Sequence, residues 1–274
     1  LAITSCEKNE TDSFPSVECE RSVVSFSKSK YNIILIIGQS NTHAGLGLDA
    51  SIDTTRQGVM QLGRVGDRNL KVVKAIAPLD HHTAKLDRIG FGLTFANLFK
   101  NRLVAENDSV IIIPCGHGGT GFSDNMWNKG DALYNDAVSR VKYVQDKFQN
   151  SELQAILWHQ GEIDVHNKSY ERQLGNFIND IREDLNAENV PFILGGMVPY
   201  WVSQDKSRLN QQKKIAGIKD KLCIIGYADP SSPVVIEKEN NKIDEIHFDA
   251  DGQRELGKRY FNEYLNLIEL IPNQ

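Results

Sequence analysis

Residues 31–41 read Tyr-Asn-Ile-Ile-Leu-Ile-Ile-Gly-Gln-Ser-Asn, an apolar run that ends abruptly at a glycine and three polar side chains. No polar residue alternates with Ile33 through Ile37, the pattern of a strand whose sheet is covered by helices on both faces. Gly38 then breaks the strand and permits a sharp turn. Ser40 is thereby placed at the carboxyl end of a buried strand, where open α/β sheets bind their ligands. Taken alone, the same residues also describe an ordinary strand-to-helix turn with a capping serine.

Four further runs share the character of the first. Residues 109–114 (SVIIIP), 153–158 (LQAILW), 191–198 (PFILGGMV) and 222–227 (LCIIGY) read as buried strands. Between them the apolar positions recur at helical spacing. Phe91, Phe95, Leu98, Phe99 and Leu103 mark a helix over residues 90–105; Leu133, Ala137, Val141 and Val144 mark another over 131–148. Helices are also expected over 170–185, 203–219 and 249–268. Residues 42–71 are rich in Gly, Asp and Arg without clear period and read as long loops with at most a short helix, and residues 70–76 as a short edge strand. The alternation predicts an α/β fold, a doubly wound and mainly parallel five-stranded sheet with right-handed crossovers and helices on both faces.

The chain has 274 residues and a formal net charge of −5, with lysine and arginine scattered, which gives no footprint for nucleic acid. No apolar run approaches the roughly 18 residues that span a bilayer. The first thirty residues differ from the rest. The chain opens at Leu1 and not at methionine, so a preceding segment is expected, and residues 1–6 (LAITSC) resemble the end of a bacterial lipoprotein signal with Cys6 as the lipidated residue. A truncated tail with an incidental cysteine is the plainer alternative. Residues 1–30 are expected to form a tether, with residues 31–274 as one globular domain; the anchor reading implies an exported, periplasmic or outer-membrane-anchored lipoprotein whose only membrane contact is at Cys6. Cys19 falls in the tether, Cys115 and Cys223 are expected to be small core residues, and spacing does not reveal any pairing.

Polar clusters stand at the carboxyl ends of the first three strands. Gly38-Gln39-Ser40-Asn41 follows the first, Cys115-Gly116-His117-Gly118-Gly119-Thr120-Gly121 the second, and His159-Gln160-Gly161-Glu162-Ile163-Asp164 the third. A fourth cluster, Asp244-Glu245-Ile246-His247, precedes the last helix. In a doubly wound sheet all of these face one side. The glycine-rich segment lacks the lysine of a phosphate loop and does not match the dinucleotide fingerprint. A serine hydrolase needs a nucleophile, a base, a carboxylate to orient that base and donors for an oxyanion. Ser40, His247 and Asp244 are candidates for the first three.

These motifs, Gly38-Gln39-Ser40-Asn41, Gly118-Gly119-Thr120, Trp158-His159-Gln160-Gly161-Glu162 with Asp164, and Asp244 with His247, resemble those of the SGNH-hydrolase superfamily. Within it the chain is similar to the carbohydrate O-acetylesterases, the sialate O-acetylesterases and acetylxylan esterases of carbohydrate esterase family six, over residues 31–264. The resemblance implies a flavodoxin-like three-layer sandwich and a serine esterase that removes O-acetyl groups from a carbohydrate, with no cofactor and no metal. It makes Ser40 the nucleophile, His247 the base and Asp244 its orienting carboxylate. It assigns the oxyanion hole to the Ser40 N–H, a backbone N–H at Gly118 or Gly119, and the side-chain amide of Gln160. Gln39, Asn41, Glu162 and Asp164 would support that site or touch sugar hydroxyls.

Trp201, with Tyr200, is the preferred surface for stacking on a sugar, ahead of Trp127 and Trp158. Thr42-His43-Ala44-Gly45 departs from the Met-Ala-Gly that family members often carry after the nucleophile block. His43 and His117 are expected to line the pocket, and His81 and His82 to lie in solvent. A lipid or thioester esterase of the same superfamily, and a non-catalytic carbohydrate-binding module that retained the fold, are the alternative readings.

Overall fold

In the computed structural model, which describes residues 14–16, 18–19 and 23–270, the apolar run becomes the middle strand of the sheet, β1 (Tyr31–Gly38). Every residue from Ile33 to Ile37 is fully buried, so both faces of the strand are covered. The other strands of this sheet are β2 (Val59–Leu62), β3 (Val72–Lys74), β4 (Ser109–Pro114), β5 (Ser151–His159), β6 (Phe192–Gly195) and β7 (Ile225–Ala228). Their order is β7-β6-β5-β1-β4-β2-β3. All neighbours run parallel except β3, which closes one edge antiparallel to β2.

Seven strands, not five, build the sheet. The short edge strand expected at residues 70–76 is β3, whereas β2 lies inside the segment read as loops. Only four residues long, β2 draws its stability from pairing with β4 and burial of Val59 and Leu62, too brief a pattern to register as a run. The helices are α1 (Gly92–Leu103), α2 (Ala132–Lys147), α3 (Tyr170–Leu185), α4 (Pro199–Ser203), α5 (Lys206–Gly217) and α6 (Ala250–Asn266). The helix expected over 203–219 is α5, which starts at Lys206 because Asp205 caps it by accepting from the Ser207 and Arg208 N–H groups; the short α4 ahead of it was not expected. α1 packs against α6 through Phe95 and Tyr264, and α2 against α3 through Tyr134 and Phe177.

The chain reverses its direction of travel across the sheet at β1, whose neighbours are β4 and β5. The carboxyl end of β1 is therefore a topological switch point, with loops diverging on either side to leave a crevice. Gly38 pairs with His159 there, and a Cβ on Gly38 would lie 2.1 Å from the His159 carbonyl oxygen. Its φ of +123° is a second reason that the position takes glycine.

The amino-terminal stretch departs from the expected tether. Phe14 is buried against Gly175 of α3, Val24–Ser25 pairs in parallel with Ile268–Glu269, and Cys19 forms a disulfide with Cys223 across 204 residues. Cys223 is thus no simple core residue; Cys115 is buried and free. Cys6 lies outside the described residues.

Candidate active site

At the carboxyl end of β1 the chain enters a short 3-10 turn, Ser40–Thr42, held by N–H groups of Thr42 and His43 donating to the Gln39 and Ser40 carbonyls. Gln39 itself is buried. Its N–H donates to the His159 carbonyl and its side-chain oxygen accepts from the Ile163 N–H, which ties the turn to the loop after β5. Ser40 alone of this group reaches the surface.

His247 Nε2 lies 2.8 Å from Ser40 Oγ, and its Nδ1 lies 3.0 Å from each Asp244 carboxylate oxygen. With Nδ1–H donating to the carboxylate, Nε2 accepts from the Ser40 hydroxyl. The Asp244 carboxylate also accepts from the His247 N–H, which closes the loop on itself. Partial burial works to raise the Asp244 carboxyl, but the charge and hydrogen bonds of His247 outweigh it and hold the group below its ordinary range. Arg88 adds positive charge 3.9 Å from Asp244. Lys238 donates to the carbonyls of Asp244 and His247, gripping the backbone of the same loop.

Asn41 is fully buried and brackets His247. Its amide donates to the Ile246 carbonyl at 2.9 Å, and its oxygen accepts from the Phe248 N–H at 3.1 Å. The same amide donates to Glu162 at 2.6 Å. Burial pushes the Glu162 carboxyl up to about 7, the Asn41 bond only partly opposing it. His159 stands 3.8 Å away and is held near 3 by burial, so the two do not form an ion pair near neutrality. Because the Tyr260 hydroxyl donates to the Trp158 carbonyl, it accepts from His159 Nδ1–H, and the imidazole presents a bare Nε2 to Glu162.

The Gln160 amide is engaged elsewhere than expected. Its side chain is fully buried, and its nitrogen donates to Asp164 at 2.8 Å and to the Thr120 carbonyl at 3.5 Å. A buried carboxylate is the stronger attraction for an amide N–H, and both N–H bonds of Gln160 are thereby occupied. Asp164 also accepts from the N–H groups of Phe122 and Ser123, the Ser123 hydroxyl and the Asn167 amide. Glu162 and Asp164 therefore act as internal anchors, the one for the His247 loop and the other for the far end of the glycine loop.

That glycine loop lies against the Ser40 turn. A Cβ built on Gly118 would stand 3.8 Å from Ser40 Cβ, and Gly119, at φ +68°, has open space around it. The Gly118 N–H donates to Thr83 Oγ at 2.7 Å, so of the two expected oxyanion donors in this loop Gly118 is already partnered. Of the two histidines expected in solvent, His81 is buried and His82 is only partly exposed. His81 is buried and stacked on His43 with ring centroids 5.0 Å apart, and His82 meets Asp136 at 3.2 Å. His43 is buried behind the turn, while His117 remains half-buried beside it. Trp127 and Trp158 are core residues. Trp201 is also buried, with the Arg208 guanidinium 4.2 Å from its ring centroid, and offers no open face for a sugar. Thr83 and Lys238 carry no motif, and only the folded chain brings them to the site.

A family model described as carbohydrate esterase, sialic acid-specific acetylesterase, matches residues 30–266. The chain is similar to a probable carbohydrate esterase of Arabidopsis thaliana, 30% identical over 206 residues that make up 72% of each protein. An Arabidopsis thaliana protein of known crystal structure superposes with a TM-score of 0.72 at 25% identity, covering 87% of this chain and 98% of that one. NanS superposes with a TM-score of 0.73 at 17% identity over 88% of this chain and 98% of its own, a likeness of fold. The family match takes in the Ser40 turn, the glycine loop and the His247 loop together: the chain belongs to the carbohydrate esterase family described as sialic acid-specific acetylesterase, and it is a carboxylic ester hydrolase.

Proposed function

We propose that the protein is a serine esterase that removes O-acetyl groups from carbohydrate, with Ser40 as nucleophile, His247 as general base and acid, and Asp244 as the carboxylate that fixes the imidazole tautomer. The observation that carries this reading is the unbroken contact from Ser40 Oγ through His247 to Asp244, at 2.8 Å and 3.0 Å. Ser40 Oγ attacks the acetyl carbonyl as its proton passes to His247 Nε2. The carbonyl oxygen becomes an oxyanion, received by the N–H groups of Ser40 and Gly119. Collapse breaks the bond to the sugar oxygen, which takes the proton from His247 and departs as the free hydroxyl. Water then attacks the acetyl-serine, giving its proton to the same nitrogen, and acetate leaves as Ser40 regains the proton.

The substrate class proposed is acetylated xylan, O-acetylated sialic acid or a related glycan, in line with the family. The Cys19–Cys223 disulfide supports an exported setting; within it, anchoring through a lipidated Cys6 is the arrangement that residues 1–6 favour, and the intact mass of the exported protein tests it. Ser40→Ala is expected to abolish acetate release from p-nitrophenyl acetate and from acetylated xylan while the protein stays folded. Full activity in that variant would overturn the assignment. Acetate released across a panel of acetylated xylan and O-acetylated sialic acids identifies the preferred sugar.

A further inference from the structure

Segment 81–83 reads the backbone of the glycine loop at three points. His81 Nδ1 accepts from the Gly116 N–H at 2.9 Å, the His82 N–H donates to the Gly116 carbonyl at 3.0 Å, and Thr83 Oγ accepts from the Gly118 N–H at 2.7 Å. The third contact continues inward, because the Thr83 hydroxyl also lies 2.9 Å from His43 Nε2. On the other side of that ring His43 Nδ1 lies 2.7 Å from Thr42 Oγ, whose hydroxyl donates to the Gln39 carbonyl at 2.7 Å.

Only one set of proton positions satisfies this chain. Thr42 has a single hydroxyl hydrogen, directed at Gln39, so its oxygen must accept from His43 Nδ1–H. The neutral imidazole then presents a lone pair at Nε2, which accepts the Thr83 hydroxyl hydrogen. The Thr83 oxygen is left free to accept the Gly118 N–H. A directed line thus runs from the glycine loop to the carbonyl just ahead of Ser40. His43 is suited to carry it: burial, and next the nearby histidines His117, His247 and His82, hold it near 3, so that it is neutral throughout the physiological range.

We propose that Thr83 and His43 are positioning residues for ester hydrolysis, holding the Gly118 peptide in register with Ser40 so that the following N–H, at Gly119, meets the oxyanion without first having to be ordered. The need is physical. Gly118 and Gly119 have no side chains to pack, Gly119 is exposed, and such a pair left free would sample many orientations. Preorganised donors stabilise a developing charge because no reorganisation is required during the reaction. The proposal deepens the esterase reading and rests on Ser40 being the nucleophile.

The test compares Thr83→Val, Thr83→Ser and His43→Phe with the wild type and with Ser40→Ala, using p-nitrophenyl acetate. Thr83→Val keeps the side-chain shape and removes the hydroxyl; kcat is expected to fall roughly 10- to 100-fold with KM unchanged. Thr83→Ser restores the hydroxyl and is expected to return most of the rate. His43→Phe keeps an aromatic ring against His81 and ends the chain, so its kcat should fall as in Thr83→Val. Circular dichroism reports whether each variant is folded. Should His43→Phe fail to fold, position 83 still decides, since Thr83 is at the surface and its replacement leaves the core intact. Wild-type kcat in Thr83→Val, or equal loss in Thr83→Ser and Thr83→Val, would overturn the proposal while an inactive Ser40→Ala leaves the esterase reading standing. Activity in Ser40→Ala would remove the reading beneath it.

Discussion

Glu162 is a carboxyl group in a place that disfavours its charge. It is buried beneath the site, bonded to Asn41 and facing the bare Nε2 of a neutral His159, and its pKa rises from 4.5 to about 7. The folded state therefore binds this proton more tightly than the unfolded chain does. Between about pH 4.5 and 7 the folded protein carries more protons, so the Glu162 contribution is most favourable below 4.5 and is lost as pH rises through 7. The shift corresponds to something on the order of 3 kcal/mol across that window. His43 and His159, each held near 3, act with the opposite sign: their contribution is present above the ordinary histidine value and is lost as pH falls toward 3. A comparison with Glu162→Gln, which keeps an acceptor for Asn41, separates the two. Melting temperatures of the two proteins from pH 4.5 to 8 should show the wild type losing ground against the variant as pH rises. A constant difference would mean that Glu162 does not titrate in this range.

At the scale of elements, the site is a junction of four loops with few residues that belong to it by type alone. Asn41 is the clearest joint. From the first turn after β1 it reaches both sides of His247 and the Glu162 carboxyl, and the Gln253 amide of α6 donates to its own carbonyl. Asn41→Ala is expected to leave the buried Phe248 N–H and Ile246 carbonyl without these partners, costing about 3 kcal/mol of stability. It should also let the imidazole drift from Ser40, with a drop in kcat of roughly 10²-fold. Chemical denaturation and steady-state kinetics on one preparation check both. A variant that is destabilised yet fully active would show that the Asp244 and Lys238 contacts hold the loop unaided.

For the whole molecule, the disulfide between Cys19 and Cys223 encloses most of the chain. It fastens the amino-terminal stretch, which adds a parallel pair with Ile268–Glu269 and the buried Phe14, to the region that leads into β7. On loop-closure entropy, constraining so long a loop in the unfolded chain stabilises the fold by about 5 kcal/mol. Cys19→Ser, or reduction of the wild type, should lower the melting temperature and leave acetate release at room temperature intact, because Cys223 leads into the amino end of β7 whereas Ser40 follows the carboxyl end of the parallel strand β1. Loss of activity in the folded, reduced protein would contradict that separation.

The sequence by itself determined the α/β class, the buried middle strand and the order of the polar clusters, because long apolar runs and helical periodicity are local properties. It also brought Ser40, Asp244 and His247 forward as a set, and the folded chain places them within hydrogen-bonding distance of one another. The short strand β2 escaped notice since four residues cannot show a period, and the Cys19–Cys223 pairing was illegible because spacing says nothing of contacts between residues 204 apart. Tertiary structure alone decided which polar groups were already engaged. Gln160 turned to Asp164, Gly118 to Thr83, and His43 and His81 went into the interior, since a buried donor without an acceptor is costly and its partner is set by how the loops pack.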